Sequence, residues 1–243
     1  MKKRVICMLS AAMMLWGAAA SAESEKETLT FKADNHEIIV TAEEIGRSEY
    51  DEATFDVRVT MDGEQTQTIN FTSENTNEGE QEVYLCDVNM DGYADLALLN
   101  SMGASDGFAS YYVYDAAAGA FVYRPELNRL SFYRAQFYPQ KRYVLNYLHD
   151  SAATGVWELY QWQLGGEFKL LAEASIQFTD DVNSGELAAK AGPVQNGVAQ
   201  MTYTGKPFAY EDETRWNLER EKLMNILFDG DDPDEAVELG LME

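Results

Sequence analysis

The sequence has few cysteines and few basic residues. Cys7 and Cys86 are the only cysteines among 243 residues, and Lys and Arg together number 18 against 42 Asp and Glu. A formal net charge of −24 argues against nucleic acid and anionic membrane surfaces as partners, because both would repel the chain. The charge is compatible with a basic protein partner, with divalent cations, or with solubility alone.

Residues 1–22 have the pattern of a secretory signal peptide. A basic segment, Lys2-Lys3-Arg4, precedes the apolar run 5–20, and Ala20-Ser21-Ala22 supplies the small residues that signal peptidase accepts. The apolar run is short for a membrane span, and charged residues follow it at once, so cleavage is favoured over a retained anchor. We therefore expect an exported protein, periplasmic or extracellular, without a membrane span after signal cleavage.

Signal cleavage would leave a chain with one cysteine. Cys7 would depart with the signal peptide, and Cys86 alone cannot form an intramolecular disulfide. A small exported protein without disulfides must be stabilised by its hydrophobic core or by a metal ion.

The rest of the chain predicts a mainly β fold in three regions. Residues 23–80 form an N-terminal β-strand region, residues 81–178 a calcium-loop β domain, and residues 179–243 a C-terminal strand, an amphipathic helix and an acidic tail. Alternating apolar and polar residues mark the strands, and a polar stretch at 72–80 marks the first boundary. The helix is predicted at Glu211–Phe228, with its apolar stripe docked on a sheet. The strands predict an antiparallel sandwich, a barrel or a propeller-like sheet.

One of three Asp-Gly pairs has the composition of a cation site. The pair at 62–63 predicts a plain hairpin turn, and the pair at 229–230 lies in an acidic tail. The pair at 91–92 lies in DVNMDGYAD, where alternate side chains can converge inside a tight loop and Gly92 can adopt a positive φ. Oxygen donors with three negative charges and no His suit calcium better than zinc. The predicted ligands are Asp87, Asn89, Asp91, the carbonyl of Tyr93, and Asp95.

The loop does not have the sequence of an EF-hand. Position twelve of an EF-hand loop is a bidentate Glu, whereas Leu98 stands here. The flanking runs are short and apolar, as in strands. The alternative to a calcium loop is a turn whose acids are solvated.

These residues resemble a known family. The D-x-N-x-D-G-x-x-D-L pattern resembles the calcium loops of FG-GAP and VCBS-type β repeats. Residues 81–178, with DVNMDGYADLALLN, YYVYDAAAGAFVYRPELNRLS and QKRYVLNYLHDSAATGVWELYQWQLGGEFKLLAEASI, resemble the exported bacterial lysozyme-inhibitor proteins that neutralise lysozyme-like effectors of secretion systems. The resemblance implies an antiparallel β domain with one calcium loop.

The same resemblance implies a partner and a surface that binds it. Small periplasmic lysozyme inhibitors share a Ser-Gly-x-x-Tyr loop that enters the enzyme's cleft. The corresponding stretch is 151–160, in which Thr-Gly replaces Ser-Gly and the Tyr is five residues after the Gly instead of three. The partner would be a basic lysozyme-like protein, bound by Ser151, Thr154, Gly155, Trp157 and Tyr160.

Two other classes of function compete with inhibition. A calcium-stabilised cell-envelope or extracellular module could instead bind a glycan or a surface protein. An enzyme is disfavoured, because the G-x-S-x-G at 103–107 is followed by a strand, whereas a nucleophile elbow requires a helix. Phosphate loops and cofactor fingerprints are absent from the sequence, and a pair of glycosidase carboxylates among the 42 acids is the catalytic alternative that stays open. We therefore expect a binding protein and no catalysis.

Overall fold

The computed structural model describes residues 26–33, 35–50, 52–74, 82–102, 106–151, 154–179, 185–230 and 237–238. The predicted signal peptide and residues 103–105 of the G-x-S-x-G motif lie outside the described residues. Within the described ranges, no helix is long and apolar enough to cross a membrane. The fold is mainly β with one C-terminal helix, which confirms the predicted class.

The strands form three antiparallel sheets. The N-terminal sheet has the order β1 (Lys26–Ala33), β2 (His36–Arg47), β3 (Ala53–Met61), β4 (Glu64–Ser73). The central sheet has the order β5 (Val83–Cys86), β6 (Asp95–Met102), β7 (Gly107–Asp115), β8 (Ala120–Tyr123). The C-terminal sheet is built on β9 (Gln136–Tyr138), β10 (Tyr143–Ser151), β11 (Thr154–Trp162), β12 (Phe168–Phe178) and β13 (Glu186–Gln195).

Short strands extend the C-terminal sheet at both edges. On one side β14 (Val198–Ala199), β15 (Tyr203–Thr204) and β16 (Phe208–Ala209) pair with β13, and on the other β17 (Val237–Glu238) pairs with β9. The sequence predicts one strand at 198–203, and the structure has two short ones there. The strand β13 has no counterpart in the sequence prediction.

The three sheets stack as layers, which is the sandwich among the predicted arrangements. Side chains alternate across each strand, so the central sheet contributes to two cores. One core joins it to the N-terminal sheet and includes Ile38, Val57, Leu96 and Leu98; the other joins it to the C-terminal sheet and includes Ala97, Leu99, Tyr111 and Trp162. Burial on both faces explains why Leu96–Leu99 is a continuous apolar run.

The helix α1 (Glu213–Leu227) covers the outer face of the C-terminal sheet. Asp212 caps its N-terminus by accepting a hydrogen bond from the Arg215 N–H at 2.9 Å. Leu223 and Leu227 pack with Trp157 and other residues of β11–β13 in a third core. The predicted docking of the apolar stripe on a sheet is therefore confirmed.

The segment 124–135, between β8 and β9, contains a short 3-10 helix at Pro125–Leu127 and otherwise consists mainly of turns. It contributes Leu127, Leu130 and Phe132 to the core shared by the central and C-terminal sheets. Polar contacts attach it as well, because the Ser131 N–H donates to Asn146 Oδ1 at 2.8 Å and Asn146 Nδ2 donates to the Arg129 carbonyl at 3.2 Å.

Candidate functional site

The predicted calcium loop connects β5 to β6 and has a tightly turned backbone. Met90 has φ of 57° and Gly92 has φ of 91°, so two residues adopt left-handed conformations within three positions. Gly92 tolerates this conformation because it lacks a Cβ, as the sequence predicts, whereas Met90 adopts it at a cost.

The side chains at 87, 89 and 91 turn toward the interior of the loop. Asp87 accepts hydrogen bonds from the Asp91 and Gly92 N–H groups through its two oxygens, each at 3.0 Å. Asn89 Oδ1 accepts from the same Asp91 N–H at 3.0 Å, and Asn89 Nδ2 donates to Asp91 Oδ2 at 2.7 Å. The structure therefore brings these three predicted ligands together.

Tyr93 and Asp95 complete the predicted set at the end of the loop. The Tyr93 N–H donates to Asp91 Oδ1 at 2.9 Å, and the Tyr93 ring lies 5.7 Å from that of Tyr114. Asp95 is fully buried and accepts from the Val88 and Tyr114 N–H groups, both at 2.9 Å. Asp95 thus joins the loop to the neighbouring strand β7.

Two carboxylates of the loop, those of Asp87 and Asp95, are in an environment that disfavours their charge. Burial raises the pKa of Asp95 to about 8, and repulsion from Asp91 and Asp87 adds to the increase, while hydrogen bonds from backbone N–H groups oppose it. Burial also raises the pKa of Asp87. In the described part of the chain, Lys and Arg side chains make no ion pair with these carboxylates. A bound cation would offset the cost of burying charged carboxylates and would reduce the repulsion between them.

The donor set fits a hard cation only when amide and carbonyl oxygens join the carboxylates. Among the described residues, no three His, Cys, Asp or Glu side chains converge closely enough to hold a metal ion by themselves. Asn89 and the Tyr93 carbonyl would therefore be needed beside Asp87, Asp91 and Asp95, as is usual for calcium, which takes six to eight oxygen ligands.

Two residues of the C-terminal sheet region contact the loop and have no signal in the local sequence. Trp162 Nε1 donates to the Val88 carbonyl at 2.8 Å, and an Arg142 guanidinium nitrogen donates to the Asn89 carbonyl at 3.2 Å. These two hydrogen bonds hold the loop against the C-terminal sheet, and each joins residues more than fifty positions apart in the sequence. Sequence periodicity carries no information on contacts at that separation.

The five predicted partner-binding residues lie on the β10–β11 hairpin and do not form one surface. Ser151 is exposed, and its hydroxyl lies 2.7 Å from that of the buried Thr154. Gly155 is buried, and a Cβ there would lie 2.7 Å from the hydroxyl of Tyr147.

The two aromatic residues of that set point to opposite faces of the C-terminal sheet. Trp157 is 3% exposed and stacks on Tyr147 on the helix side, with ring centroids 4.8 Å apart. Tyr160 is 4% exposed and stacks on Phe168 on the side of the central sheet, with centroids 4.5 Å apart. Ser151 is the residue of the five that a protein partner can reach without rearrangement.

A buried carboxylate on the same strand belongs to a polar network that the sequence does not predict. Glu158 is 1% exposed and accepts hydrogen bonds from Asn146 Nδ2 and the Tyr160 hydroxyl, each at 3.0 Å. It also forms an ion pair with Arg129, whose guanidinium lies 6.0 Å from the centre of the Tyr160 ring. The network holds segment 124–135 against β10 and β11.

Comparison of the chain with protein-family models, with curated proteins and with solved structures finds no match. The resemblance to lysozyme-inhibitor proteins therefore stays a prediction.

Proposed function

We propose that the chain is an exported β-sheet binding protein whose loop 87–95 is stabilised by calcium. The observation that carries this proposal is the group of inward-turned carboxylates at Asp87 and Asp91 beside the buried Asp95, with no cationic side chain of the described residues paired to them. Calcium would supply the missing positive charge and would connect β5, β6 and β7 through one loop.

The calcium proposal is tested by thermal unfolding of the mature protein in 5 mM calcium and in chelator at equal ionic strength. Extracellular calcium sites often bind in the range of ~0.1–1 mM. Mass action then predicts about 1–2 kcal/mol of stabilisation. For a protein of this size that corresponds to a rise in Tm of about 2–8 °C.

A matched pair of variants locates the effect. Asp91→Asn and Asp62→Asn each remove one charge from an Asp-Gly turn, and we expect only Asp91→Asn to abolish the calcium-dependent rise in Tm. An unchanged wild-type Tm in chelator, or an equal effect of both variants, would contradict the calcium site.

The proposed partner is a basic lysozyme-like protein, whose activity the chain would inhibit. The net charge of −24 supports this partner, because a strongly acidic protein is steered toward a basic one at low salt. The exposed Ser151 at the end of β10 and the resemblance of residues 81–178 support the β10–β11 hairpin as the contact.

Inhibition is tested by adding micromolar mature protein to a panel of basic lysozymes and measuring cell-wall hydrolysis at two salt concentrations. We expect inhibition of at least one lysozyme, weakened by salt and by Ser151→Arg, whereas Ser48→Arg, at an exposed position in the turn between β2 and β3, serves as the control. Absence of inhibition across the panel would leave the alternative, a calcium-stabilised envelope module that binds a glycan or a surface protein.

A further inference from the structure

A cavity of about 650 Å³ lies between α1 and the outer face of the C-terminal sheet. Segment 133–136 forms one wall, and the helix residues Trp216, Arg220 and Met224 form the opposite wall. The calcium loop faces the other side of the same sheet, since Trp162, which it contacts, belongs to the core with the central sheet. The cavity is thus separate from the site described above.

Aromatic rings dominate the lining of the cavity. Trp157, Tyr138 and Phe228 form a buried floor, with exposures of 3%, 5% and 5%. Tyr147 and Trp216 are half-buried, and each ring lies against Trp157, at centroid distances of 4.8 and 6.1 Å. Partly open rings over an aromatic floor can receive a flat ligand with an apolar face.

The described residues that line the cavity include two positive charges, in a chain that is strongly acidic. Among the described residues, those that line the cavity include no acid and two arginines, Arg134 and Arg220. The Arg134 guanidinium lies 5.4 Å from the centre of the Tyr147 ring, and its Nε pairs with Asp106 at 3.3 Å. Arg220 forms no ion pair with any acid of the described residues. A guanidinium group at this position can donate paired hydrogen bonds to a carboxylate or phosphate.

Amide side chains at the same opening can bind hydroxyl groups. Gln136 and Asn225 both line the cavity and are exposed. Aromatic faces, amides and guanidinium groups together match a sugar, which has an apolar C–H face, several hydroxyls and, in acidic sugars, a negative substituent. A purely apolar ligand would leave both arginines and both amides unused.

We propose that this cavity binds a pyranose sugar that carries an anionic substituent. The sugar ring stacks on Trp216, and the anionic group binds Arg220 with assistance from Arg134. The proposal is independent of calcium binding and of lysozyme inhibition, so it stands or falls on its own measurements.

Tryptophan fluorescence reports on the cavity, because two of the three tryptophans beyond the signal peptide, Trp157 and Trp216, line it. The mature protein is titrated with glucuronic acid, glucose 6-phosphate and glucose at constant ionic strength, and with acetate and phosphate as anions without a sugar ring. We expect a saturable change with at least one anionic sugar, at a concentration at least tenfold lower than for glucose, acetate or phosphate. Glucuronic acid and glucose 6-phosphate distinguish a carboxylate from a phosphate substituent.

Two variants separate the contribution of the guanidinium group from that of the aromatic ring. Arg220→Gln should weaken binding of the anionic sugar at least fivefold and leave glucose unaffected, while Trp216→Leu should weaken both. Arg47→Gln removes the same charge from a surface pair with Glu44 and should change nothing. Circular dichroism and Tm confirm that each variant is folded. The proposal is overturned if anionic sugars bind no more tightly than glucose, if no probe gives a saturable change, or if Arg47→Gln has the effect of Arg220→Gln.

Discussion

Removal of the Arg129 guanidinium should destabilise the protein, because the buried carboxylate of Glu158 would then have no cationic partner. Glu158 is 1% exposed, and in Arg129→Met only the neutral donors of Asn146 and Tyr160 would remain to it. Breaking a buried ion pair by removing one partner typically costs about 3–5 kcal/mol. The Arg129 side chain is 53% exposed, so water replaces part of the lost interaction and we expect about 2 kcal/mol.

The assay is urea unfolding followed by tryptophan fluorescence, together with Tm. At this chain length, about 2 kcal/mol corresponds to a fall in Tm of about 4–8 °C. Glu158→Gln provides the internal control, because glutamine retains an acceptor for Asn146 and Tyr160 without a charge.

In the double variant Arg129→Met/Glu158→Gln the unpaired charge is absent, so we expect recovery of at least about 1 kcal/mol relative to Arg129→Met. If Arg129→Met were as stable as the wild type, the predicted role of the Arg129–Glu158 ion pair would be refuted. A double variant no more stable than Arg129→Met would also refute it, because the cost would then come from lost packing rather than from charge.

Three further changes test other parts of the fold. Burial raises the pKa of Glu27 from its ordinary 4.5 to about 7, so the folded state loses stability as the pH rises from 4.5 to 7, by about 2 kcal/mol after allowance for solvent screening. In Glu27→Gln this part of the pH dependence of urea unfolding should disappear. Gly192→Ala should lower the free energy of unfolding by about 2 kcal/mol or more, because its Cβ would lie 2.6 Å from the carbonyl carbon of Gln200. Leu223→Ala should cost about 3 kcal/mol through cavity formation, whereas Leu218→Ala, 42% exposed, should leave unfolding nearly unchanged.

Strands with clear local signals were predictable from the sequence. Three runs of apolar and aromatic residues, typical of strands, form β5 (Val83–Cys86), β8 (Ala120–Tyr123) and β12 (Phe168–Phe178). The turn between β3 and β4 follows from its Asp-Gly pair, in which Asp62 and Gly63 have φ of 51° and 88°. These features depend on side-chain alternation and turn chemistry, which act within a few residues.

The strand β13 illustrates where local signals end. Its sequence, ELAAKAGPVQ, is rich in alanine and contains Gly192 and Pro193, which have low preference for strands. It is nevertheless extended, because β12 pairs along its length and α1 covers its face. The surrounding sheet overrides the local preference.

The sequence by itself determined the class of the fold, the turns, the helix and the composition of the 87–95 loop, because each is encoded by residues close together in the chain. Only the tertiary structure decided which faces the sheets bury. Stacking of three sheets placed Trp157 and Tyr160 on opposite faces, brought Trp162 to the loop and gathered two arginines beside a cluster of aromatic rings. Those positions depend on packing between residues far apart in sequence, and hydrophobic packing is non-directional, so local patterns leave them open.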